Sequence, residues 1–359
     1  WDKQTDEWAI VILDKTGEIK PGIQDGREII PVKRENDLIE VFLSRMEIIQ
    51  PDILVGYNSD YFDIPYIYYR IKNRLGERTA KRLSPIRIVE ERDKRWYPDQ
   101  PIRIAGVTSL DYFRLHKKYS FQQEPSMKLD FLGEKYVGQK KVEYDGSLDR
   151  LFAEDKQKFI EYNFVDVLIL KKLDEKFKYL DLTKNISHKG KCLYEEVYQS
   201  SRTQDGAISA YLLGEDIIPP NKDTNPITKE NGYAGGYLFC PKTGIYNYMF
   251  DEDLTSLYPS IIMSLNIGRE TLVGRLVTSD DRDNRLALND LKKMDQDKEF
   301  TIENLNRQTK TMTVKKILSL IEENNLAITA NGVMFRTDKP STLSVVLSQW
   351  FDERVEYKN

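Results

Sequence analysis

The sequence predicts a mixed α/β protein with two or three domains. Its 359 residues are enough for two or three domains of roughly 150 residues each. Short apolar runs of strand length alternate with longer segments of helical spacing, an order typical of α/β domains with mixed sheets. Hydrophobic residues make up 40% and charged residues 31% of the chain, which is the composition of a folded protein.

The composition also excludes several kinds of protein and site. No stretch approaches the ~18 consecutive apolar residues of a membrane span. Cys192 and Cys240 are too few for a disulfide framework and lack Cys-x-x-Cys spacing, which favours a reducing compartment. With only His116 and His188 available, chemistry must depend mainly on carboxylates, tyrosines and basic residues. The net charge of −4 means that binding to nucleic acid would need a locally positive channel.

Strands and helices alternate in the predicted first half of the chain. The run at 8–13 predicts a strand, and helical spacing follows at 38–49. A short strand at 53–57 leads into a polar loop and a helix that begins near Pro65. Two alternating runs around a charged segment predict a hairpin within 86–107.

The second half is less regular. A long helix is predicted at 156–179, and residues 217–232 are rich in Pro, Asn, Thr and Lys without periodicity, as expected of a connector. A strand at 244–250 and a helix at 258–265 follow. Residues 286–325 are predicted to consist of alternating charged segments of helix or loop.

The first candidate site is the segment GYNSDYFDIPYIYYRI, in which Asn58 and Asp63 flank a loop between a strand and a helix. Asp63 stands shortly before Pro65, and an Asp before a first-turn Pro is a common helix N-cap. A carboxylate at the same place could also bind a metal ion. The residues leave both interpretations open.

The second candidate site is FIEYNFVDVLILKKL, where Tyr162 and Asp166 stand four residues apart and share one helix face. Asp166 is flanked by valine, leucine and isoleucine, and burying it without a partner would be unfavourable. No Arg or Lys stands immediately beside it in the sequence. A divalent metal ion and a half-exposed position on the helix edge are the alternatives.

The third candidate site is FDEDLTSLYPSIIMSL, an acidic cluster between a predicted strand and a helix around Pro259. On a strand, Asp251 and Asp253 would point to one face and Glu252 to the other. A carboxylate beside the free N–H groups of a helix start suits Mg²⁺ together with phosphate. The alternative is a solvated turn before a capped helix.

These three segments, in this order, resemble family B DNA polymerases, and most of all the replicative polymerases of T-even-type phages. GYNSDYFDIPYI resembles the second exonuclease motif, YNFVDV the third, YAGG the turn between the exonuclease and polymerase modules, and DLTSLYPSII polymerase motif A. The resemblance covers nearly the whole chain. It implies a ribonuclease H-like 3′-5′ exonuclease domain, followed by part of the polymerase palm and the start of the fingers.

The resemblance also implies where the domains lie, and that the chain is an internal fragment of a longer polymerase. The expected segments are 1–182 for the exonuclease domain, 183–224 for a connector or N-terminal-domain return segment, 225–340 for the first part of the palm and 341–359 for the start of the fingers. No Asp-x-Glu occurs between Trp1 and Asp63, and the family's Asp-Thr-Asp-Ser does not occur at all. We therefore expect the isolated chain to be inactive.

The resemblance assigns roles to individual residues. Asp63 and Asp166 would be exonuclease metal ligands, and Tyr162 would orient the attacking water. Asp253 would bind both metal ions of the polymerase centre. These four are the expected catalytic residues.

The expected nucleotide and DNA contacts follow from the same resemblance. The nucleotide-binding residues would be Leu254, Ser256, Leu257, Tyr258 and Arg354. The backbone amides of motif A would hold phosphate oxygens, Tyr258 would lie under the deoxyribose, and the forked donors of Arg354 would bind the triphosphate. Template phosphates would be contacted by Tyr233, Gly235 and Gly236. A hairpin near 92–97 would help to separate primer from template, although a solvated charged loop explains it equally well.

The function implied is template-directed addition of dNTPs to a DNA primer, with 3′-5′ proofreading. Two Mg²⁺ ions per active site are expected in the intact enzyme. Expected partners are primer-template DNA, dNTPs, a sliding clamp and other replisome proteins, with no membrane, in the cytoplasm of an infected bacterial host. A stand-alone 3′-5′ exonuclease and a non-catalytic DNA-binding piece of a split polymerase are the alternatives.

Overall fold

The computed structural model describes residues 1–93, 95, 97–219, 221, 239–240, 242–250, 252–254, 256–277 and 286–358. These residues form two compact units, Trp1–Gln204 and Asp205–Asn359. Both units mix helices and strands, so the predicted α/β class is confirmed. Tyr233, Gly235 and Gly236, and the expected boundary between 183–224 and 225–340, lie outside the described residues. No helix in the described ranges is long and apolar enough to cross a membrane.

In the first unit the elements are β1 (Trp8–Leu13), β2 (Gly22–Gln24), β3 (Arg27–Val32), α1 (Glu35–Ile49), β4 (Ile53–Gly56), α2 (Asp63–Leu75), α3 (Glu77–Ala80), β5 (Val89–Glu91), β6 (Ile102–Ile104), β7 (Thr108–Asp111), α4 (Tyr112–Tyr119), α5 (Leu129–Val137), α6 (Leu148–Glu154), α7 (Lys156–Phe177), α8 (Tyr179–Gly190) and a 3-10 helix at Tyr194–Tyr198. The division between the units falls inside α9 (Ser200–Gly214). The strands predicted at 8–13 and 53–57, the helices predicted at 38–49 and 156–179 and the hairpin within 86–107 are confirmed.

The strands described in the first unit form three groups, one of which is the β5-β6 hairpin. β3 pairs in parallel with β1 and antiparallel with β2. β4 pairs in parallel with β7, and this register places Gly56 opposite Asp111. Because the carboxyl ends of parallel strands meet at one edge, the chain that leaves β4 passes over the residue that ends β7.

A buried cluster connects β7 to the helices that follow it. Leu110 on β7, Leu115 on α4, Leu132 on α5 and Ile169 on α7 are all fully buried in this cluster. Large apolar side chains that interlock in this way hold helices at fixed positions. The cluster therefore fixes α7 against the end of β7.

In the second unit the elements are α10 (Leu257–Ser264), β8 (Leu272–Val277), α11 (Leu288–Lys293), β9 (Glu299–Asn304), β10 (Thr309–Thr313), α12 (Val314–Glu323), β11 (Leu326–Ile328), β12 (Val333–Arg336) and α13 (Thr342–Lys358). An antiparallel sheet has the strand order β10-β9-β8-β12-β11. Val314, Ile317 and Ile321 on α12 are buried in one cluster with Leu276 and Phe300 of the sheet. The helix predicted at 258–265 is confirmed as α10.

Two predictions in this unit need correction. The helical part of 286–325 is confirmed by α11 and α12, but the segment also contains β9 and β10. The polar, partly exposed Thr, Glu and Lys side chains of these strands gave little strand signal; β9 pairs with β8, and β10 pairs with β9. Residues 244–250, predicted as a strand, form none. Their side chains are exposed, and an apolar run without a pairing strand has no partner for its backbone groups.

Candidate active sites of the two units

The loop between β4 and α2 leads directly into Asp63, and we call its residues 57–62 the Asp63 loop. It begins with a tight turn, in which Asn58 has a left-handed backbone (φ 60°). A Cβ on Gly56 would lie 2.4 Å from the Cβ of Ser59, so the turn requires glycine at residue 56. The turn directs the chain back across the end of β7 and into α2.

Asp63 is the first residue of α2, and its N-cap is Phe62, with no side-chain cap. The helix-cap interpretation of Asp63 is therefore wrong, because the helix begins at Asp63 itself. Desolvation, and then the negative charge of Asp111, raise the pKa of Asp63. The side chain lies at a helix start, where the helix dipole offsets part of this cost to the charged form and a cation could be bound.

Tyr162 and Asp166 share one face of α7, as predicted, and a third residue joins them. The Nζ atom of Lys141 donates to Asp166 Oδ2 at 2.7 Å and lies 3.4 Å from the hydroxyl oxygen of Tyr162. We call Lys141, Tyr162 and Asp166 the Lys141 cluster. Burial lowers the pKa of Lys141, but the hydrogen bond to Asp166 and the charge of Asp166 raise it, and the net result is a raised pKa. Burial, and then the charge of Asp166, raise the pKa of Tyr162.

Lys141 was missed in the sequence, where Asp166 has no basic residue immediately beside it. The lysine stands 25 residues earlier in the chain, between α5 and α6, and only tertiary packing brings it to α7. Asp130 helps to place it, because its Oδ1 accepts from the backbone N–H of Lys141 at 2.8 Å. The charge of Asp166 is therefore balanced without a metal ion.

Asp166 still has capacity for a further ligand. Its Oδ1 atom is buried and has no hydrogen-bond partner among the residues that the structure describes. An unpaired buried carboxylate oxygen is unfavourable by itself and is the type of ligand that Mg²⁺ prefers. The donor chemistry of Asp63 and Asp166 therefore fits a divalent cation. In the part of the chain that the structure describes, no group of three or more His, Cys, Asp or Glu side chains is placed to hold a metal ion.

The second candidate centre surrounds Asp253, and we call residues 252–254 and 256 the Asp253 segment. Asp253 is exposed and lies in no helix or strand. The side chains of Leu254, Leu257 and Tyr258 are also exposed. Ser256 is the N-cap of α10 and has a left-handed backbone (φ 52°). The segment thus presents its polar groups to solvent at a helix start.

Arg354 contacts this segment across 98 residues of sequence. Its guanidinium Nη1 donates to the Oγ atom of Ser256 at 2.8 Å. The arginine lies on α13, whose start is fixed near the end of α10 by Asn266: the Oδ1 of Asn266 accepts from the backbone N–H of Ser341 at 2.7 Å. The Nδ2 of Asn266 donates to the backbone oxygen of Arg336 at 2.6 Å. Asn266 was not singled out in the sequence, although Asn is frequent after a helix end with its left-handed backbone (φ 53°).

The hairpin of the first unit is anchored to α2. Glu91, at the end of β5, accepts from the Lys72 Nζ at 2.6 Å and from the Tyr68 hydroxyl at 3.1 Å. In the described part of its tip, the Arg92 guanidinium lies over the ring of Tyr97, 4.6 Å from its centre. The base of the hairpin is therefore fixed to the helix that Asp63 begins.

Two family models match the chain. The model described as DNA polymerase family B, exonuclease domain, matches residues 6–132, a range that contains the Asp63 loop. The model described as DNA polymerase family B matches residues 198–359, a range that contains the Asp253 segment and Arg354. The two matches follow each other along the chain in the order that the sequence motifs predict.

Similar proteins include polymerases from phages and archaea. The DNA-directed DNA polymerase of Escherichia phage RB69 is 34% identical over 276 residues, which cover 75% of this chain and 30% of the relative. That of Enterobacteria phage T4 is 34% identical over 260 residues, which cover 72% of this chain and 29% of the relative. The DNA polymerase of Thermococcus litoralis is 26% identical over 261 residues, which cover 67% of this chain and 14% of the relative. The chain thus spans less than a third of each of these relatives, and it belongs to the family B DNA polymerases.

Proposed function

We propose that this chain is part of a DNA-directed DNA polymerase that extends a primer from dNTPs and proofreads in the 3′-5′ direction. The contact between Arg354 and Ser256 carries the polymerase assignment. It joins the residue expected to bind the triphosphate to the segment expected to hold the same phosphates. A forked guanidinium beside the start of a helix suits a polyphosphate.

In the proposed polymerase centre, the chain binds and orients the nucleotide. Arg354 and the backbone amides around Ser256 hold the triphosphate, while Tyr258 lies under the sugar and disfavours a 2′-hydroxyl. Asp253 is the ligand that this chain supplies to Mg²⁺. Mg²⁺ bound there would activate the primer 3′-hydroxyl and neutralise charge on the triphosphate.

In the proposed exonuclease centre, Asp63 and Asp166 are the cation ligands of this chain. Lys141 donates toward both Asp166 and Tyr162, which supports a role in fixing the two side chains relative to each other. The Tyr162 hydroxyl then orients the water that attacks the terminal phosphodiester. A tyrosine hydroxyl is protonated at neutral pH, and burial raises the pKa of Tyr162 further, so this hydroxyl can donate a hydrogen bond.

The remaining assignments follow from the family. The substrates are primer-template DNA and dNTPs, and in the intact enzyme the partners include a sliding clamp and other replisome proteins. Tyr233, Gly235 and Gly236 remain the predicted template contacts. The expected domain limits also remain predictions. The similarity to phage polymerases supports action in the cytoplasm of an infected bacterial host.

Primer extension and single-strand degradation by the polypeptide that the complete gene encodes test the proposal. We expect Asp253→Asn to lower extension by about a hundredfold or more, because it removes a charge placed for the transition state. Glu252→Gln, the neighbouring exposed acid, is the matched control and should change extension by less than about threefold. We expect Asp166→Ala to abolish degradation and spare extension, whereas Glu175→Ala on the same helix should spare both.

The outcomes separate the alternatives. Degradation without extension by the intact protein would indicate a stand-alone exonuclease. DNA binding with neither activity would indicate a non-catalytic piece of a split polymerase. Full extension by Asp253→Asn would contradict the assignment of the polymerase centre.

A further inference from the structure

Two buried acidic residues lie in and beneath the Asp63 loop. Asp60 and Asp111 are each 1% exposed, although an ionised carboxylate is unfavourable inside a protein unless it is well hydrogen-bonded. Asp60 belongs to the loop, and Asp111 ends β7. Neither residue has been given a role in the proposed reaction. Their contacts show what they do for the loop.

Asp111 binds three backbone amides from two elements. Its Oδ1 accepts from the N–H of Asn58 at 2.9 Å and from the N–H of Phe113 at 3.0 Å. Its Oδ2 accepts from the N–H of Asp60 at 3.2 Å. Hydrogen bonds to an ionised acceptor are among the strong ones. One carboxylate therefore caps α4 and holds two residues of the Asp63 loop to the end of β7.

Asp60 is held from the other side. It accepts from the Ser109 hydroxyl, and its Oδ2 accepts from Arg114 Nη1 at 3.0 Å. The Arg114 guanidinium lies over the ring of Tyr198, 4.0 Å from its centre. The Tyr198 hydroxyl donates to the backbone oxygen of Asp111 at 3.2 Å. These contacts close a network around the end of β7.

The held residues lead directly into the first turn of α2. The N–H of Phe62 donates to the Asn58 oxygen at 3.1 Å, and the N–H of Ile64 donates to the Ser59 oxygen at 3.0 Å. These bonds bracket Asp63, so a movement of residues 58–60 would move its carboxylate. Gly56 permits the tight turn at the start of this loop, and the network of Asp111 and Asp60 holds the turn in place.

We propose that Asp111 is a positioning residue of the exonuclease centre, which holds the Asp63 loop so that Asp63 keeps the direction needed to bind a cation. This inference rests on the proposed exonuclease function. Asp111 acts through Asp63 and does not touch the cation or DNA. Loosening the loop should therefore weaken cation binding, with little effect on the affinity for single-stranded DNA.

The test is Asp111→Asn in the full-length protein. Asn has one acceptor oxygen, and its NH₂ group would face a backbone N–H that needs an acceptor, so at least one bond to the loop is lost. We expect the Mn²⁺ concentration for half-maximal degradation of single-stranded DNA to rise about 10- to 100-fold, the range known for residues that support a metal ligand. The KM for DNA should stay within about threefold. Amide hydrogen exchange should accelerate at residues 58–63.

Asp174→Asn is the matched control. Asp174 is 5% exposed and also accepts from a backbone N–H, that of Leu180 at 3.2 Å, and from Lys3 Nζ at 2.8 Å. Its replacement should lower the midpoint of thermal unfolding but leave the Mn²⁺ requirement and exchange at 58–63 unchanged. Ser109→Ala removes one hydroxyl donor to Asp60 and leaves the three bonds of Asp111 in place, so it should raise the Mn²⁺ requirement only a few-fold. It keeps the test available if Asp111→Asn does not fold.

Several results would overturn the inference. Equal Mn²⁺ requirements for Asp111→Asn and Asp174→Asn would make Asp111 a structural residue only, as would unchanged exchange at 58–63 in Asp111→Asn. If the unmodified protein and Asp174→Asn both fail to degrade DNA, the proposed exonuclease function fails. Hydrogen exchange then tests the positioning role of Asp111 by itself. Faster exchange in Asp111→Asn that is confined to residues 58–63 supports this role, and exchange equal to that of the unmodified protein overturns it.

Discussion

The two candidate centres of this chain differ in how they are built. Asp166 lies on a helix packed into a buried cluster, and its carboxylate already has a lysine partner at 2.7 Å. Asp253 lies on an exposed segment outside any helix or strand, preceded by a run that forms no strand in its described residues. Both sites were identified from acidic motifs of similar length.

The difference shows that a motif specifies chemistry, whereas packed neighbours specify geometry. The Lys141 cluster has both, because α7 is fixed by fully buried side chains such as Ile169. For the Asp253 segment, the described residues show a hydrogen bond between Ser256 and Arg354 as the tertiary contact that matches its expected function. Three predictions would break or sharpen this comparison.

The largest expected effect is on stability. Leu115→Ala should lower the free energy of unfolding of the first unit by about 2–5 kcal/mol, because it leaves a cavity at a fully buried position. Phe250→Ala, at a side chain that is 85% exposed, should change the free energy of unfolding of the second unit by less than about 0.5 kcal/mol. Urea unfolding followed for each unit by pulsed hydrogen exchange measures both. Similar losses for the two substitutions would contradict the contrast.

A smaller effect is expected at Arg354. Arg354→Lys in the full-length protein should raise the KM for dNTPs about tenfold, because a single ammonium replaces a forked donor. Steady-state primer extension measures it. Arg275→Lys is the control, since Arg275 is also exposed and donates to Glu303 Oε2 at 2.7 Å. An unchanged KM would show that the contact between Arg354 and Ser256 does not support the assignment of the polymerase centre.

The smallest effect is a pH dependence. Burial raises the pKa of Asp60 to about 6 from the unfolded value of 3.8. The folded state therefore binds more protons between these values, and stability from this residue is present below about pH 4 and lost as the pH rises through 6. His116 opposes this, because burial lowers its pKa. Comparison with Asp60→Asn cancels that contribution.

We expect the free energy of unfolding of the first unit, relative to Asp60→Asn, to rise by on the order of 1 kcal/mol from pH 7 to pH 5. Urea unfolding of both proteins at several pH values measures the difference. A difference that stays constant with pH would show that the Arg114 ion pair offsets the burial of Asp60 completely.

Sequence alone determined the local elements and the type of chemistry. Apolar periodicity is a property of neighbouring residues, so β1, α1, β4 and α7 were predicted close to their observed limits. The four-residue spacing of Tyr162 and Asp166 fixed their common helix face for the same reason. The order of the motifs also identified the family, which the domain matches confirm.

Tertiary structure alone decided which charges meet. Lys141 reaches Asp166, Asp111 holds the Asp63 loop and Arg354 reaches Ser256 across separations of 25, 53 and 98 residues. No local pattern encodes such pairs, because they depend on how strands and helices pack. Strand pairing likewise made β9 and β10 from polar segments and left 244–250 without a strand. Periodicity therefore determines the elements, and long-range packing determines the sites they build.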